Sequence, residues 1–128
     1  MTFVIDSSAL LATLLDEKGS EVVEPLLDQA LISTVNIAEV AAALVRGGNP
    51  LEDVRRILAG LGLAAIAPDE AMAIDAGLLR VVTDEAGLSL GDRFCLALAR
   101  RVRAPAVTAD RAWRKVAAAA GVEVRSIR

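Results

Sequence analysis

Asp6, Glu39, Asp92 and Asp110 lie beside short hydrophobic runs in a chain with no histidine, no tyrosine and one cysteine. Thr2-Phe3-Val4-Ile5 leads into Asp6, Thr34-Val35-Asn36-Ile37-Ala38 into Glu39, and Ala106-Val107-Thr108-Ala109 into Asp110, while Gly91-Asp92 opens an apolar helix. Without imidazole or phenol, most acid–base and nucleophilic chemistry near neutral pH has no carrier. What remains is a set of hard oxygen ligands, suited to Mg²⁺ or Mn²⁺ and to the phosphate chemistry those ions support. Two carboxylates ~5 Å apart repel by roughly 3 kcal/mol at an effective dielectric of ~20, so four gathered together call for a divalent counter-ion.

Each acid also has a structural use to weigh. Asp110 before a helix suits a cap, and Asp92 early in a helix suits the macrodipole. Glu39 is flanked by Ile37, Val40 and Ala41, which read as buried, and Asp6 completes an apolar strand where an acid serves no packing purpose. Ser7 and Ser8 either cap the next helix or, beside Asp6, steady a water at the ion. Cys95, with Leu96 and Leu98, reads as core. One tryptophan and two phenylalanines are too few for a base-stacking platform, so any nucleic-acid binding rests on charge and backbone.

Short β-like runs alternate with helical periodicity, and this pattern must bring the acids together. Strands are expected at Phe3–Ile5, 31–33, 63–66, 106–107 and 122–127. Helices are expected at 8–15, at 21–30 behind a Ser20 cap, at 36–46 up to Gly47-Gly48, and from Asn49-Pro50 onward. A long helix is expected from Asp69 to about Ala86, burying Met72, Ile74, Leu78, Leu79 and Val82, then one from Asp92 to Arg101 and one after Asp110. Such βα alternation implies a parallel sheet with helices on both faces. Ligands then bind beyond the carboxyl ends of the strands, where Asp6 and Asp110 fall and where the helices carrying Glu39 and Asp92 begin.

At 128 residues, 55% of them hydrophobic, the chain reads as one domain, 1–128, with a sizeable core. Its mean hydropathy is +0.50, yet charges interrupt every long run and no membrane span is expected. The start, without a basic segment and small-residue cleavage site, fits a cytoplasmic protein. The net charge of −3 conceals an asymmetry: residues 1–92 hold 5 Lys and Arg against 15 Asp and Glu, residues 93–128 hold 9 against 2. Arg93, Arg100, Arg101, Arg103, Arg111, Arg114 and Lys115 are therefore candidates for phosphate contacts, the alternative being solvated helix faces paired with the acidic part.

The segments F-V-I-D-S-S-A-L, S-T-V-N-I-A-E-V, L-S-L-G-D-R-F-C-L-A-L-A and A-V-T-A-D-R-A-W carry a resemblance that spans nearly the whole chain. The chain resembles the PIN-domain ribonucleases, in particular the VapC-like toxins of bacterial type II toxin–antitoxin pairs. The resemblance implies a three-layer α/β/α sandwich with a central parallel sheet and a Mg²⁺- or Mn²⁺-dependent endoribonuclease. Asp6, Glu39, Asp92 and Asp110 fall on the family's catalytic, metal-holding acids, and Ser8 and Thr108 on its hydroxyl positions. It further implies hydrolysis leaving a 5′-phosphate and a 3′-OH, a cognate antitoxin and a homodimer. An apolar surplus in the helices Ala9–Leu15 and 37–45 suits a groove for a partner helix.

Three other classes share parts of the pattern. A receiver domain with a Mg²⁺ pocket needs a lysine after a late strand, whereas the only lysines are Lys18 and Lys115. A haloacid-dehalogenase-like phosphatase needs an acid two residues after its nucleophile, where this chain has Ser8. The third is a catalytically inert interaction domain whose acids are only caps.

Overall fold

The computed structural model describes residues 1–128. Five parallel strands form one sheet: β1 (Phe3–Ile5), β2 (Ala30–Ser33), β3 (Ala64–Ile66), β4 (Ala106–Thr108) and β5 (Val124–Ser126), in the order β3-β2-β1-β4-β5. The register sets Phe3 beside Ala30 and Ile5 beside Val107. Because side chains alternate along a strand, Val4 enters one core and Phe3 and Ile5 the other. The helices are α1 (Ser7–Leu14), α2 (Ser20–Val23), α3 (Thr34–Arg46), α4 (Leu51–Ala59), α5 (Glu70–Leu78), α6 (Arg80–Thr83), α7 (Leu90–Val102) and α8 (Ala117–Ala120). Ala9, Leu10, Val40, Leu44 and Val54, from α1, α3 and α4, pack with Ile5 and Ile32. Met72, Ala76, Cys95, Leu96 and Leu98, from α5 and α7, pack with Val4, Ala106 and Trp113. This is the α/β/α sandwich with a central parallel sheet that the sequence led us to expect.

Three elements differ from expectation. The helix over 21–30 is the short α2 followed by a 3₁₀ helix, Glu24–Gln29, because Pro25 lacks the N–H that an α-helix requires. Gly19, at φ 101°, precedes it, and Ser20 lies inside the first turn instead of capping it. The long helix after Asp69 breaks into α5 and α6, and of its expected buried residues only Met72 and Leu79 are buried. Ile74, Leu78 and Val82 remain 55%, 64% and 37% exposed. After Asp110 the chain forms a 3₁₀ helix, Arg111–Lys115, before α8.

Candidate active site

β1 and β4 lie side by side where the strand order reverses, the position at which open parallel sheets hold ligands. Asp6 follows β1 directly and is 1% exposed. Its Oδ1 accepts from the Ala9 amide at 2.8 Å and its Oδ2 from the Thr108 hydroxyl at 2.7 Å, while the Ser8 hydroxyl lies 2.8 and 2.9 Å from the two oxygens. Both hydroxyls are themselves oriented. The Ala109 amide donates to Ser8 at 2.9 Å and the Asp110 amide to Thr108 at 3.0 Å, leaving each hydroxyl proton for Asp6.

The other three acids approach on helices. Asp92 forms a capping box with Ser89 at the start of α7, its Oδ2 accepting from the Ser89 amide at 2.8 Å. Asp110 caps its 3₁₀ helix by accepting from the Ala112 amide at 2.9 Å. Both structural uses are realised, yet each leaves a carboxylate oxygen without a protein donor. Glu39, on α3, accepts through Oε1 from Asn36 Nδ2 at 2.7 Å, and the same Nδ2 donates to the Gly91 carbonyl at 3.1 Å. A methyl group on Gly91 would overlap the Glu39 carboxylate, so the bare backbone is what lets this acid lie against α7. The sequence singles out all four of these acids. Asn36 was missed, its only signal being an amide within an apolar run, one helical turn before an acid.

Burial pushes the Asp6 carboxyl up to about 6, against the hydrogen bonds from Thr108, Ala9 and Ser8, and the Asp92 charge adds to the rise. Burial also raises Asp92, opposed by Ser89 and reinforced by Glu39 and Asp110. The thiol of Cys95 is held far above its ordinary range by burial and by the charges of Asp6, Asp92 and Glu39, which makes it an inert core residue. One electrostatic field thus joins all four acids, and no ion pair relieves it: the six salt bridges involve other acids. A carboxyl whose folded pKa exceeds its unfolded value binds its proton more tightly when folded, so its stabilisation is full below about pH 4 and lost as pH rises through 6. Thermal melts in EDTA should therefore show a falling melting temperature between pH 4 and 6.5, and the Asp6→Asn variant should flatten that slope.

The donor chemistry fits a hard divalent cation: all-oxygen, anionic and uncompensated. No three of the acids converge to grip an ion as they stand, as expected of like charges that push one another apart. Asp92 and Asp110 each keep one oxygen that no protein donor occupies, and Asp110 is exposed, so the set can close by movement of these two side chains. With those free oxygens the residues fit the ion.

The candidate cations divide into two groups. Arg111, Arg114 and Lys115 lie exposed in the 3₁₀ helix that Asp110 caps. Arg93 turns away, its guanidinium lying 3.4 Å from the Ala76 and Gly77 carbonyls of α5. Arg100, Arg101 and Arg103 lie two to three turns along α7, which puts Arg103 roughly 16 Å from Asp92 at 1.5 Å per residue. Arg101 pairs there with Asp69 at 3.0 Å.

The model of the PIN domain family matches residues 3–119. The chain belongs to the PIN domain family. Solved structures share this PIN fold over nearly the full length. A toxin–antitoxin complex from Klebsiella pneumoniae superposes with a TM-score of 0.74 at 19% identity, covering 99% of this chain and 98% of that one. DNA-bound VapBC from Salmonella typhimurium gives 0.75 at 16% identity, covering 100% and 99%. VapC20 from Mycobacterium tuberculosis, a Sarcin-Ricin loop cleaving toxin, gives 0.72 at 19%, covering 97% and 99%. No curated protein sequence matches the chain.

Proposed function

We propose that this PIN domain is a Mg²⁺- or Mn²⁺-dependent endoribonuclease acting as the toxin of a type II toxin–antitoxin pair. The observation that carries the proposal is the buried Asp6 at the carboxyl end of β1, which feels the charge of Asp92, which in turn feels Glu39 and Asp110, with no cation paired to any of the four. Asp6 and Asp92 would hold the principal ion, with Glu39 and Asp110 completing the set. Bound there, the ion would supply water activation at neutral pH and charge screening at the scissile phosphate. Ser8, Thr108 and the Ala9 amide fix Asp6, and Ser89 fixes Asp92, so two ligands need little reorganisation. Attack by water at phosphorus with the 3′-oxygen as leaving group would give a 5′-phosphate and a 3′-OH, the products this reading predicts. Cleavage of a labelled RNA with Mn²⁺, its loss in EDTA, and mapping of the new 5′ ends test this reading. Metal-independent cleavage would sink the metal-dependent reading, and no cleavage of any cellular RNA would leave the inert interaction domain.

Arg111, Arg114 and Lys115, in the 3₁₀ helix directly after Asp110, would hold the RNA strand beside the acids. Binding by a catalytically dead variant should then weaken with salt, with a log–log slope of about −0.7 per phosphate neutralised, and Arg111→Ala with Arg114→Ala should flatten it. The same substitutions at Arg100 and Arg103 should leave the slope unchanged.

An antitoxin helix would find an apolar groove of about 260 Å³ between α1, α3 and α4, lined by Leu10, Ile37, Leu58, Leu61, Leu63 and Ala65. The exposed Ile74, Leu78 and Val81 on α5 and α6 offer a separate face to a second copy of the chain. Light scattering of the chain alone and with its antitoxin reads both: a monomer that ignores the antitoxin refutes both. No helix is long and apolar enough to cross a membrane, and a cytoplasmic site of action follows from the RNA substrate.

A further inference from the structure

We propose that Asn36 is the positioning residue of this centre, its amide clamping the Glu39 carboxylate to the first turn of α7 so that Glu39 and Asp92 move as one unit. The inference rests on the metal-dependent reading above and assigns the part that sets the spacing between two of its ligands.

Asn36 is fully buried within α3. Asparagine is a poor helix former, and a buried amide is unfavourable unless its bonds are made. Those bonds are only half made. Nδ2 serves both Glu39 Oε1 and the Gly91 carbonyl, while Oδ1 is buried without a partner. An apolar side chain of the same size would fill this space without the unpaired oxygen, so packing alone does not account for an amide here. Its two acceptors do. One is the acid on the same helix, the other a backbone carbonyl 55 residues on, in the residue before Asp92. Gly91 completes the device, because any side chain there would occupy the place of the carboxylate that Asn36 holds. Outer hydrogen-bond partners of this kind orient ligands and tune their affinity for a metal.

The test is Mn²⁺ titration calorimetry on the full chain, with thermal melts in EDTA, for Asn36→Ala and the similarly sized Asn36→Leu. Either should bind Mn²⁺ about 10- to 100-fold more weakly while melting within a few degrees of the parent. The kcat for RNA should fall with KM unchanged. In a Glu39→Ala background, where no carboxylate remains to be held, removing Asn36 should cause no further loss of affinity. Parent-like Mn²⁺ affinity in both variants overturns the proposal, as does an equal loss in the Glu39→Ala background. Loss of the folded state in both variants makes Asn36 structural and also overturns it. A parent chain that binds no Mn²⁺ overturns the metal-dependent reading itself, and this inference with it.

Discussion

Asp6→Asn is expected to abolish metal-dependent RNA cleavage, by more than about 100-fold, while raising the melting temperature of the metal-free protein at pH 7. Two opposite effects come from one oxygen-for-nitrogen exchange. The fold tolerates it because the Ala9 amide keeps an oxygen to bind, and the Ser8 and Thr108 hydroxyls can turn their free lone pairs toward the new NH₂. A carboxyl raised from 3.8 to about 6 represents about 3 kcal/mol of unfavourable charge burial at neutral pH. Removing it should lift the melting temperature by about 10 °C. Asp92→Asn should share the loss of cleavage. Full activity in either variant removes that residue from the metal centre, and a collapse in melting temperature assigns it to the fold instead.

Gly91→Ala should lower cleavage and Mn²⁺ affinity about 10- to 100-fold without unfolding the protein. In an exposed helix the same change stabilises by roughly 0.5–1 kcal/mol. Here the added methyl meets the Glu39 carboxylate, the far end of a flexible side chain, so the acid swings away and the backbone stays. Helix propensity and steric exclusion thus act on different observables, melting temperature and metal affinity. A variant as active as the parent would mean that Glu39 works from another rotamer; one that fails to fold would mean that α3 cannot adjust.

The acids and the sheet were legible for the same reason. In an open parallel sheet a short apolar run ending in a carboxylate both makes the strand and places the acid at its carboxyl edge, as Phe3–Ile5 with Asp6 and Ala106–Thr108 with Asp110 show. The α5–α6 break was not legible, because apolar periodicity does not distinguish a face turned to the core from one turned outward, and Ile74 and Leu78 are outward. Charge counting likewise says nothing of where each arginine lies. Arg93 and Arg103 are near in sequence, but a thirteen-residue helix carries them to opposite ends of α7. Asn36 escaped notice because its meaning lies in a carbonyl 55 residues away.

The hydroxyl of Thr108 fastens the end of β4 to Asp6 across 102 residues of chain. The first of the four acids made on the ribosome is therefore secured only when nearly the whole chain has been made. A nascent chain that has exposed Asp6 and Glu39 still lacks α7 with Asp92 and β4 with Thr108, and so holds half a centre with its buried acid untethered. On the function proposed above, the protein would become hazardous only when synthesis is nearly complete and β1 and β4 have paired. That delay would give an antitoxin made alongside it time to arrive first.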